Sequence, residues 1–427
     1  NGGNANLRLY RDSNRNGVFD ASDALVARSL TLGDDTIDFS ATGGTYFAQV
    51  ERSFGSRVLY DLDMSATYDI GRLNASTVSR NNYSVTTSDR TDVFEFDVSS
   101  GVRRNVGLYL HGISGGDANL RLYRDSNRNG VFDASDAQVA RSLTPGSDTI
   151  DFSATGGTYF AQVERSFGSR VVYDLDMSAT YDVGVVGTRP VSRNNYSVTP
   201  SDSTDVFEFD ILGTRNINLN LHDISAGDNA NLRLFRDSNR NGVFDASDAQ
   251  VASSLRTGNR DDVINYRATR GTYFAQVERV VPGSLGSATY DLDISATSVV
   301  GPSSSRASNL LGEEVRLGNL SGDRLLNGRV STSDTTDTYS FSLGLFEGVN
   351  VRLNGLFNDA DVRVIRDRNN NGIVDNGEVI GSSTRGGRGS ELISNINQSG
   401  DYFVQVYQYS GNTPYRLTMD HYTTPFA

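Results

Sequence analysis

Three residue types are missing from this sequence of 427 residues: cysteine, tryptophan and lysine. Without cysteine, a cysteine nucleophile is excluded. Disulfide bonds cannot stabilise the fold either, so a bound metal is the cross-link that remains available. Without tryptophan, a carbohydrate-binding role for exposed tyrosines is less favoured. All 39 basic residues are arginine, and we have no physical account of that choice.

Long hydrophobic runs and clustered positive charge are also lacking. No run of about 18 apolar residues occurs, so we expect no membrane span. The net charge of −13 argues against a nucleic-acid surface, because phosphate contacts need clustered positive charge. No signal peptide is recognisable, which indicates a mature or trimmed chain. The sequence contains no His-Glu-x-x-His, Gly-x-Ser-x-Gly or phosphate-loop motif, so we expect no enzyme.

What the sequence does contain is an internal repeat. The segment Asp12–Asp23 recurs as Asp125–Asp136 and as Asp237–Asp248, and in a looser form as Asp367–Glu378. We call these the first to fourth loops. Between residues 6 and 71 the first copy of the repeat differs from the second at only five positions. Near-identical copies in line are typical of structural arrays and unusual in enzymes.

Each loop has the oxygen pattern of an EF-hand-type calcium loop. Oxygen-bearing side chains stand at positions 1, 3, 5, 9 and 12, position 7 offers a backbone carbonyl, and glycine at position 6 allows a sharp turn. The sequence therefore predicts Ca²⁺ as cofactor, one ion per loop. The predicted ligands are Asp12, Asn14, Asn16, Val18, Asp20, Asp23, Asp125, Asn127, Asn129, Val131, Asp133, Asp136, Asp237, Asn239, Asn241, Val243, Asp245, Asp248, Asp367, Asn369, Asn371, Ile373, Asp375 and Glu378.

The alternative is a set of ordinary turns, because Asp, Asn and Gly are common turn residues and Asn-Gly alone indicates only a hairpin. A match at six positions in four loops favours calcium. Four Ca²⁺ ions would add +8 to the net charge of −13 and leave about −5, so much of the acidity has a local explanation.

Short segments of alternating apolar and polar residues surround the loops, for example Asp92–Val98 and Thr158–Val163. This period is typical of half-buried strands. About eight such strands per repeat, without helical periodicity, predict an all-β chain of tandem antiparallel, jelly-roll-like sandwiches. The calcium loop then joins two strands, which departs from a true EF-hand, and helices should be few and short.

We expect four units along the chain. The boundaries are residues 1–70 for an incomplete first repeat, 78–183 for the second, 190–298 for the third and 306–427 for a divergent last repeat, with linkers at 70–77, 183–190 and 298–306. The connection before the last repeat is the longest, since Thr297 to Asp337 spans 40 residues where Thr180 to Asp205 spans 25. Its segment Asn309–Leu320 is expected to add a strand or to cover an edge.

The first repeat lacks counterparts of roughly three strands, including Asp92–Val98. An isolated part of a sandwich would expose unpaired edges. Two explanations stay open. Either the chain is a piece of a longer array, or another molecule supplies the missing strands, which would produce a head-to-tail polymer.

Three short motifs resemble those of bacterial pre-peptidase C-terminal domains: Asp-x-x-Asp-x-Phe-x-Phe, Ala-x-Leu-x-Leu and Gly-x-Tyr-x-x-x-Val. They occur in Ser88–Asp97, Ala118–Tyr123 and Gly157–Val163, and in related form in Ser333–Phe341, Ala360–Val364 and Gly400–Val406. The resemblance covers nearly the whole chain. It implies secreted, jelly-roll-like sandwiches of about eight strands, often calcium-stabilised and usually accessory or adhesive modules. No peptidase accompanies these repeats, and the loops are more regular than the family requires.

A few other residues could carry chemistry. His111 and His222 stand at equivalent places that Asn354 fills in the last repeat, so we expect a packing or surface role. Paired acids two residues apart on a strand point to the same face, and a solvated face or a second, minor cation site is expected there. These pairs are Asp61/Asp63, Asp174/Asp176 and Asp291/Asp293.

The sequence therefore predicts a secreted, extracellular or cell-surface structural protein that calcium makes rigid. Metal binding to the folded loops alone would stabilise the array. The expected partners are copies of itself, in a filament or surface layer, and cell-surface or matrix components. The alternative is an adhesin stalk or the accessory binding tail of a secreted hydrolase.

Overall fold

The computed structural model describes residues 3–200, 203–226, 228–280 and 287–424. The outermost predicted boundaries, residues 1 and 427, lie outside these ranges. The chain forms two compact units. The first unit comprises Asn1–Ala179 and Asn241–Val243, and the second comprises Thr180–Arg240 and Phe244–Ala427.

The prediction of an all-β chain is confirmed. Strands make up 58% of the residues, and the described ranges contain no α-helix, only the 3₁₀-helix Ser303–Arg306. No helix in these ranges has the length and hydropathy needed to cross a membrane.

The first copy contributes one small sheet to the first unit. Its strands are β1 (Asn4–Arg11), β2 (Ala24–Ser29) and β3 (Tyr46–Phe54). They lie in the order β2-β1-β3, and both ladders are antiparallel. The next strand, β4 (Tyr68–Arg72), does not join this sheet.

The second copy folds as two sheets with a core between them. Its strands are β5 (Val78–Thr86), β6 (Thr91–Val98), β7 (Arg104–Ser114), β8 (Asp117–Arg124), β9 (Ala137–Ser142), β10 (Asp148–Ala154), β11 (Gly157–Phe167) and β12 (Arg170–Val185). One sheet has the order β4-β6-β11-β8-β9, and β10, β7, β12 and β5 lie in the other. Phe94 and Tyr159 from the first sheet share one buried cluster with Leu108 and Tyr173 from the second.

The second unit contains the third copy. Its strands are β13 (Val191–Val198), β14 (Thr204–Ile211), β15 (Arg215–His222), β16 (Ala230–Arg236), β17 (Ala249–Ser254), β18 (Asp262–Ala268), β19 (Gly271–Arg279) and β20 (Ala288–Ser298). β14, β19, β16 and β17 are successive neighbours in one sheet, and the other has the order β13-β20-β15-β18. Their shared core includes Phe207, Leu219 and Tyr290.

The last copy completes the second unit. β21 (Val315–Asn319) lies in the connecting segment that precedes it. Its own strands are β22 (Arg324–Val330), β23 (Thr336–Leu343), β24 (Glu347–Asn354), β25 (Asp359–Ile365), β26 (Val379–Ser383), β27 (Glu391–Ile396), β28 (Gly400–Ser410) and β29 (Thr413–Thr423). The two sheets have the orders β21-β23-β28-β25-β26 and β22-β29-β24-β27. Phe341, Val351 and Leu417 belong to the core between them.

The finer prediction, of separate eight-stranded sandwiches, is not confirmed because the repeats share strands. β4 follows the first copy but pairs in parallel with β6 of the second. In the second unit, β21 pairs in parallel with β23 in the same way. Such ladders carry a sheet from one repeat to the next, as the turns of a β-solenoid do. The predicted linker 70–77 therefore begins inside a strand, and the segment 309–320 supplies the expected added strand.

Nearly the same sequence has two structures in the first two copies. Residues 57–66 and 170–179 differ only at Leu59/Val172, yet the second stretch lies in β12 and the first forms no strand. Met177 is fully buried, whereas its counterpart Met64 is 73% exposed. β12 has β5 and β7 as neighbours, and the described part of the first copy offers no counterpart of either.

A buried tyrosine–aspartate hydrogen bond connects the two sheets of each complete copy. Tyr173 Oη on β12 donates to Asp92 Oδ2 on β6 at 2.5 Å. Burial raises the pKa of Asp92, and the hydrogen bond from Tyr173 opposes that shift. The same bond recurs from Tyr290 to Asp205 at 2.6 Å and from Tyr415 to Asp337.

Replacing Tyr173 with Phe is expected to lower the free energy of unfolding of the first unit by about 1–3 kcal/mol, because Asp92 would stay buried without its donor. Tyr60→Phe is the matched control, since Tyr60 is the equivalent residue of the first copy and is 59% exposed. Denaturant unfolding followed by circular dichroism measures both variants. Equal unfolding free energies would contradict the role given to the bond.

Candidate metal centres

Each predicted calcium loop closes a β-hairpin. The loops join β1 to β2, β8 to β9, β16 to β17 and β25 to β26, and all four strand pairs are antiparallel. The paired strands fix the two ends of the loop, so positions 1 and 12 are held close together.

Two residues with positive φ turn each loop sharply. At position 6 the glycines have φ between 67° and 73°, a region that other residues rarely adopt. Position 4 has φ between 54° and 60° although it is not glycine, which costs roughly 1–2 kcal/mol for an ordinary side chain. The residues at position 4 are Arg15, Arg128, Arg240 and Asn370. Other contacts within the loop must hold this conformation.

The aspartate at position 1 makes those contacts. Asp125 Oδ1 accepts a hydrogen bond from Arg128 N at 2.6 Å, and its Oδ2 accepts one from Gly130 N at 3.0 Å. Asp125 is only 7% exposed, so a carboxylate is held inside the loop. The glycine bond recurs from Gly17 to Asp12 at 2.8 Å and from Gly372 to Asp367 at 2.9 Å.

Positions 3, 5, 9 and 12 are linked to one another in the first loop. Asn14 Oδ1 accepts from Asn16 N at 3.0 Å, and Asn16 Oδ1 accepts from Val18 N at 2.7 Å. Asn16 Nδ2 donates to Asp20 Oδ2 at 2.9 Å, and Asp20 N donates to Asp23 Oδ2 at 2.9 Å. The same four bonds occur in the second loop, among Asn127, Asn129, Val131, Asp133 and Asp136, at 2.9 to 3.2 Å.

The other two loops follow the same plan. In the third loop, backbone N–H groups donate to Asp237, Asn241 and Asp248 at 2.6, 2.9 and 3.0 Å. In the fourth loop, Glu378 takes position 12, where its two oxygens accept from Arg368 N and Asp375 N, both at 2.8 Å. Asn369 and Asn371 each donate an amide hydrogen to Asp375 Oδ2 at 2.9 Å, and Ile373 N donates to Asn371 at 2.9 Å.

The acids of a loop differ in how readily they ionise. Hydrogen bonds, first of all from Ser135, lower the pKa of Asp133 at position 9 to about 2, and Asp20 behaves in the same way. Burial, together with the charge of Asp237, raises the pKa of Asp248 at position 12 to about 7. A cation in the loop would remove this cost of burying a charged carboxylate.

Calcium fits this set of donors. Every predicted ligand is an oxygen, which suits a hard cation. Asp23 Oδ1 and Asp367 Oδ1 are buried without a hydrogen-bond partner, as expected of oxygens that could bind an ion. Within the described residues, none of the four loops brings oxygens of its three carboxylates within 4.8 Å of one another. In the first loop the amide nitrogen of Asn16 lies against Asp20 instead.

The second loop also touches the copy that precedes it. Gly130 packs so closely on Asp38 that a Cβ at residue 130 would lie 3.2 Å from the Cβ of Asp38. Phe132 N donates to Ser65 Oγ at 3.1 Å. Since these contacts lie within the first unit, the loop connects the first copy to the second.

The fourth loop makes an equivalent connection in the second unit. Leu311 N donates to Gly372 O at 2.8 Å, and Val374 N donates to Asn309 O at 2.9 Å. An isolated antiparallel bridge pairs Leu310 with Ile373. The loop is thus fastened to the connecting segment that precedes its own copy.

A phenylalanine at position 8 packs the first three loops onto their sheets. Phe132 contacts Tyr123 and Phe160, with ring centroids 5.0 and 5.3 Å apart. Phe19 and Phe244 make the matching contacts. Sequence reasoning missed this residue, and it also missed the serines at positions 2 and 11, although their recurrence in three loops was a signal. Ser22 Oγ, for example, donates to Asp20 at 2.5 Å.

Both strand-end histidines lie beside carboxylates. His111 Nε2 is 2.9 Å from Asp176 Oδ2, and His222 Nε2 is 3.2 Å from Asp293 Oδ2. Burial alone would lower the pKa of His222, but the hydrogen bond that His222 donates to Asp293 and the nearby acidic charges raise it to about 9. The first-copy pair Asp61/Asp63 belongs to the stretch that forms no strand.

Comparison with known proteins finds one family. The model of the bacterial pre-peptidase C-terminal domain matches residues 335–408. No curated protein matches the chain.

Several solved structures are similar to parts of the chain. The pre-peptidase C-terminal domain of a collagenase from Bacillus anthracis is 20% identical, covers 28% of this chain and 100% of its own, and has a TM-score of 0.21. The CUB1-EGF-CUB2 domain of human MASP-1/3 is 9% identical over 55% of this chain and 99% of its own, with a TM-score of 0.19. Tripeptidyl peptidase 2 is 8% identical over 84% of this chain and 33% of its own, with a TM-score of 0.23. Scores this low carry no argument about the fold. What the comparisons do show is a bacterial pre-peptidase C-terminal domain at residues 335–408, within the last copy.

Proposed function

We propose that the chain is a secreted, calcium-stabilised structural protein that assembles head to tail into an extracellular filament or surface layer. Its tandem copies are pre-peptidase C-terminal-like repeats, each with a calcium loop. The observation that carries the proposal is the uncovered face of the first copy.

That face is open and carries exposed apolar side chains. Tyr60 is 59% exposed and Met64 is 73% exposed, although their counterparts Tyr173 and Met177 are fully buried core residues. A cavity of about 800 Å³ is lined by Tyr60 together with Leu62, Leu7 and Val50. Exposed apolar patches beside unpaired strands are typical of sites where another strand adds.

The partner that fits this face is a segment like β5–β7. In the second copy, β5 and β7 are the neighbours that order β12, and residues 57–66 carry almost the same sequence as β12. Another molecule of this chain carries such a segment, so strand addition between copies would extend the array in one direction.

Calcium would make the joints between repeats stiff. The second and fourth loops contact the residues that precede their copies through positions 6 to 8. A bound ion at the other positions would hold those contacts in place, because the loop cannot change shape without losing ligands. Chelation would therefore loosen the joint as well as the loop.

An adhesin stalk or the accessory binding tail of a secreted hydrolase is the second candidate. The pre-peptidase C-terminal domain at residues 335–408 favours it, since the family name refers to a position beside a peptidase. This function needs no assembly of copies, and the experiments below separate the two.

Calcium removal is expected to destabilise both units. At 10 mM Ca²⁺, a loop with a dissociation constant of about 10⁻⁴ to 10⁻³ M would stabilise its unit by about 1.4–2.7 kcal/mol. Asp125→Asn should reduce the calcium-dependent rise in Tm of the first unit, and Asp367→Asn that of the second. Calorimetry with calcium and with chelator measures this. Unchanged Tm values on chelation would rule out stabilising calcium sites.

Electron microscopy of the chain in millimolar calcium is expected to show regular filaments that fray on chelation. The reason is that calcium-ordered joints would keep the open face of each first copy aligned with its neighbour. Single particles in both conditions would exclude head-to-tail assembly and select the stalk or accessory role.

A peptide of residues 78–114, which spans β5–β7, is expected to shorten the filaments and to protect residues 57–66 from hydrogen exchange. The peptide supplies the neighbours that these residues lack. The same peptide with Leu108→Asp is the control, because Leu108 is fully buried in the second copy. Equal protection by both peptides, or by neither, would contradict strand addition.

A further inference from the structure

A histidine and three carboxylates meet on neighbouring strands of the third copy, away from its loop. His222, the last residue of β15, lies directly opposite Asp291 on the antiparallel strand β20. Asp293 is two residues further along β20 and so points to the same face. Asp223 follows His222 in the chain.

Three of these side chains converge on one point. One ligand atom each from His222, Asp223 and Asp291 lies within 4.8 Å of the other two. His222 Nδ1 is 3.2 Å from Asp223 Oδ2. Asp291 Oδ1 accepts a hydrogen bond from Asn195 N at 2.7 Å, which fixes that carboxylate and leaves its second oxygen for another partner.

The other side of the imidazole is held by a buried acid. His222 Nε2 lies 3.2 Å from Asp293 Oδ2, and the side chain of Asp293 is only 5% exposed. A metal ion bound at Nδ1 would displace the proton from that nitrogen, and the Nε2–H group would keep its hydrogen bond to Asp293. A carboxylate behind a ligating histidine in this way orients the ring and makes it a better metal ligand.

We propose that His222, Asp223 and Asp291 form a binding site for a divalent transition metal such as Zn²⁺, with Asp293 as the positioning residue. One imidazole nitrogen and two carboxylate oxygens suit Zn²⁺, which takes four ligands. Asp223 is 78% exposed in its side chain, so water can complete the coordination. The site is distinct from the all-oxygen calcium loops.

The second copy provides a natural comparison. It keeps His111, Asp174 and Asp176 but has Gly112 in place of Asp223. Both positions have positive φ, 61° at Gly112 and 50° at Asp223. The third copy thus carries an aspartate in a backbone conformation that favours glycine, and that aspartate is the residue that completes the group of ligands.

The test is a zinc titration of the whole chain by calorimetry in 10 mM Ca²⁺, so that the loops are saturated. NMR of the histidine rings identifies the site, because the chain has only three histidines. We expect one Zn²⁺ to bind and to shift the His222 signals. Asp223→Gly, which copies the second repeat and suits the positive φ, should weaken binding at least tenfold and abolish that shift. Asp293→Asn should weaken it by about 10- to 100-fold.

His111→Gln is the matched control and should leave zinc binding unchanged. Equal zinc affinity in the wild type and in Asp223→Gly would overturn the proposal, and so would a zinc-induced shift of His111 as large as that of His222. No binding in the presence of calcium would show that the group is an ion-paired cluster only, which also overturns it. None of these results depends on filament assembly.

Discussion

A β-strand is stable only beside a neighbour, and this constraint decides which parts of the chain fold. Residues 57–66 have nearly the sequence of β12 but remain without a strand, because β12 is ordered by β5 and β7. The sequence of this stretch favours a strand, but the neighbouring strands that would stabilise it are missing. In the complete copies every such strand has a neighbour, and some neighbours come from the chain before the copy. β4 and β21 each complete a sheet of the copy that follows, which connects successive parts of the chain.

The same dependence on neighbours governs the loops. Each loop bends through two residues of positive φ, and the aspartate at position 1 accepts the amide hydrogens that this bend exposes. The arrangement buries carboxylates and brings negative charges together, and the two effects raise the pKa of Asp248. In the first loop, the side-chain amide of Asn16 donates a hydrogen bond to Asp20. A cation at that place would neutralise the charge of Asp20 more fully. A cation would therefore strengthen a shape that the backbone already has, and through Gly130 and Gly372 it would also strengthen contacts beyond the loop.

Local patterns in the sequence predicted much of this. The alternation in Asp92–Val98 predicted β6, and the spacing of Asp, Asn and Gly predicted a loop between two strands. Strand sharing was not predictable in the same way, because residues 70–77 read as a linker when only their composition is considered. The contact of Gly130 with Asp38 could not be predicted either, because the two residues are far apart in sequence and no local pattern indicates that they pair. The group around His222 needed both the register of β15 with β20 and the direction of each side chain.

The long connection before the last copy supplies contacts for the fourth loop. In the first unit, the second loop contacts Asp38 and Ser65 of the preceding copy. The third-copy counterpart of Asp38 is Asn265, whose side-chain amide donates to Thr336 O of the last copy. The inserted residues 309–311 meet the fourth loop instead, through two backbone hydrogen bonds and a strand-like bridge. Backbone contacts of this kind tolerate changes of side chain, so the most divergent loop keeps its connection to the chain before it even though its sequence has drifted.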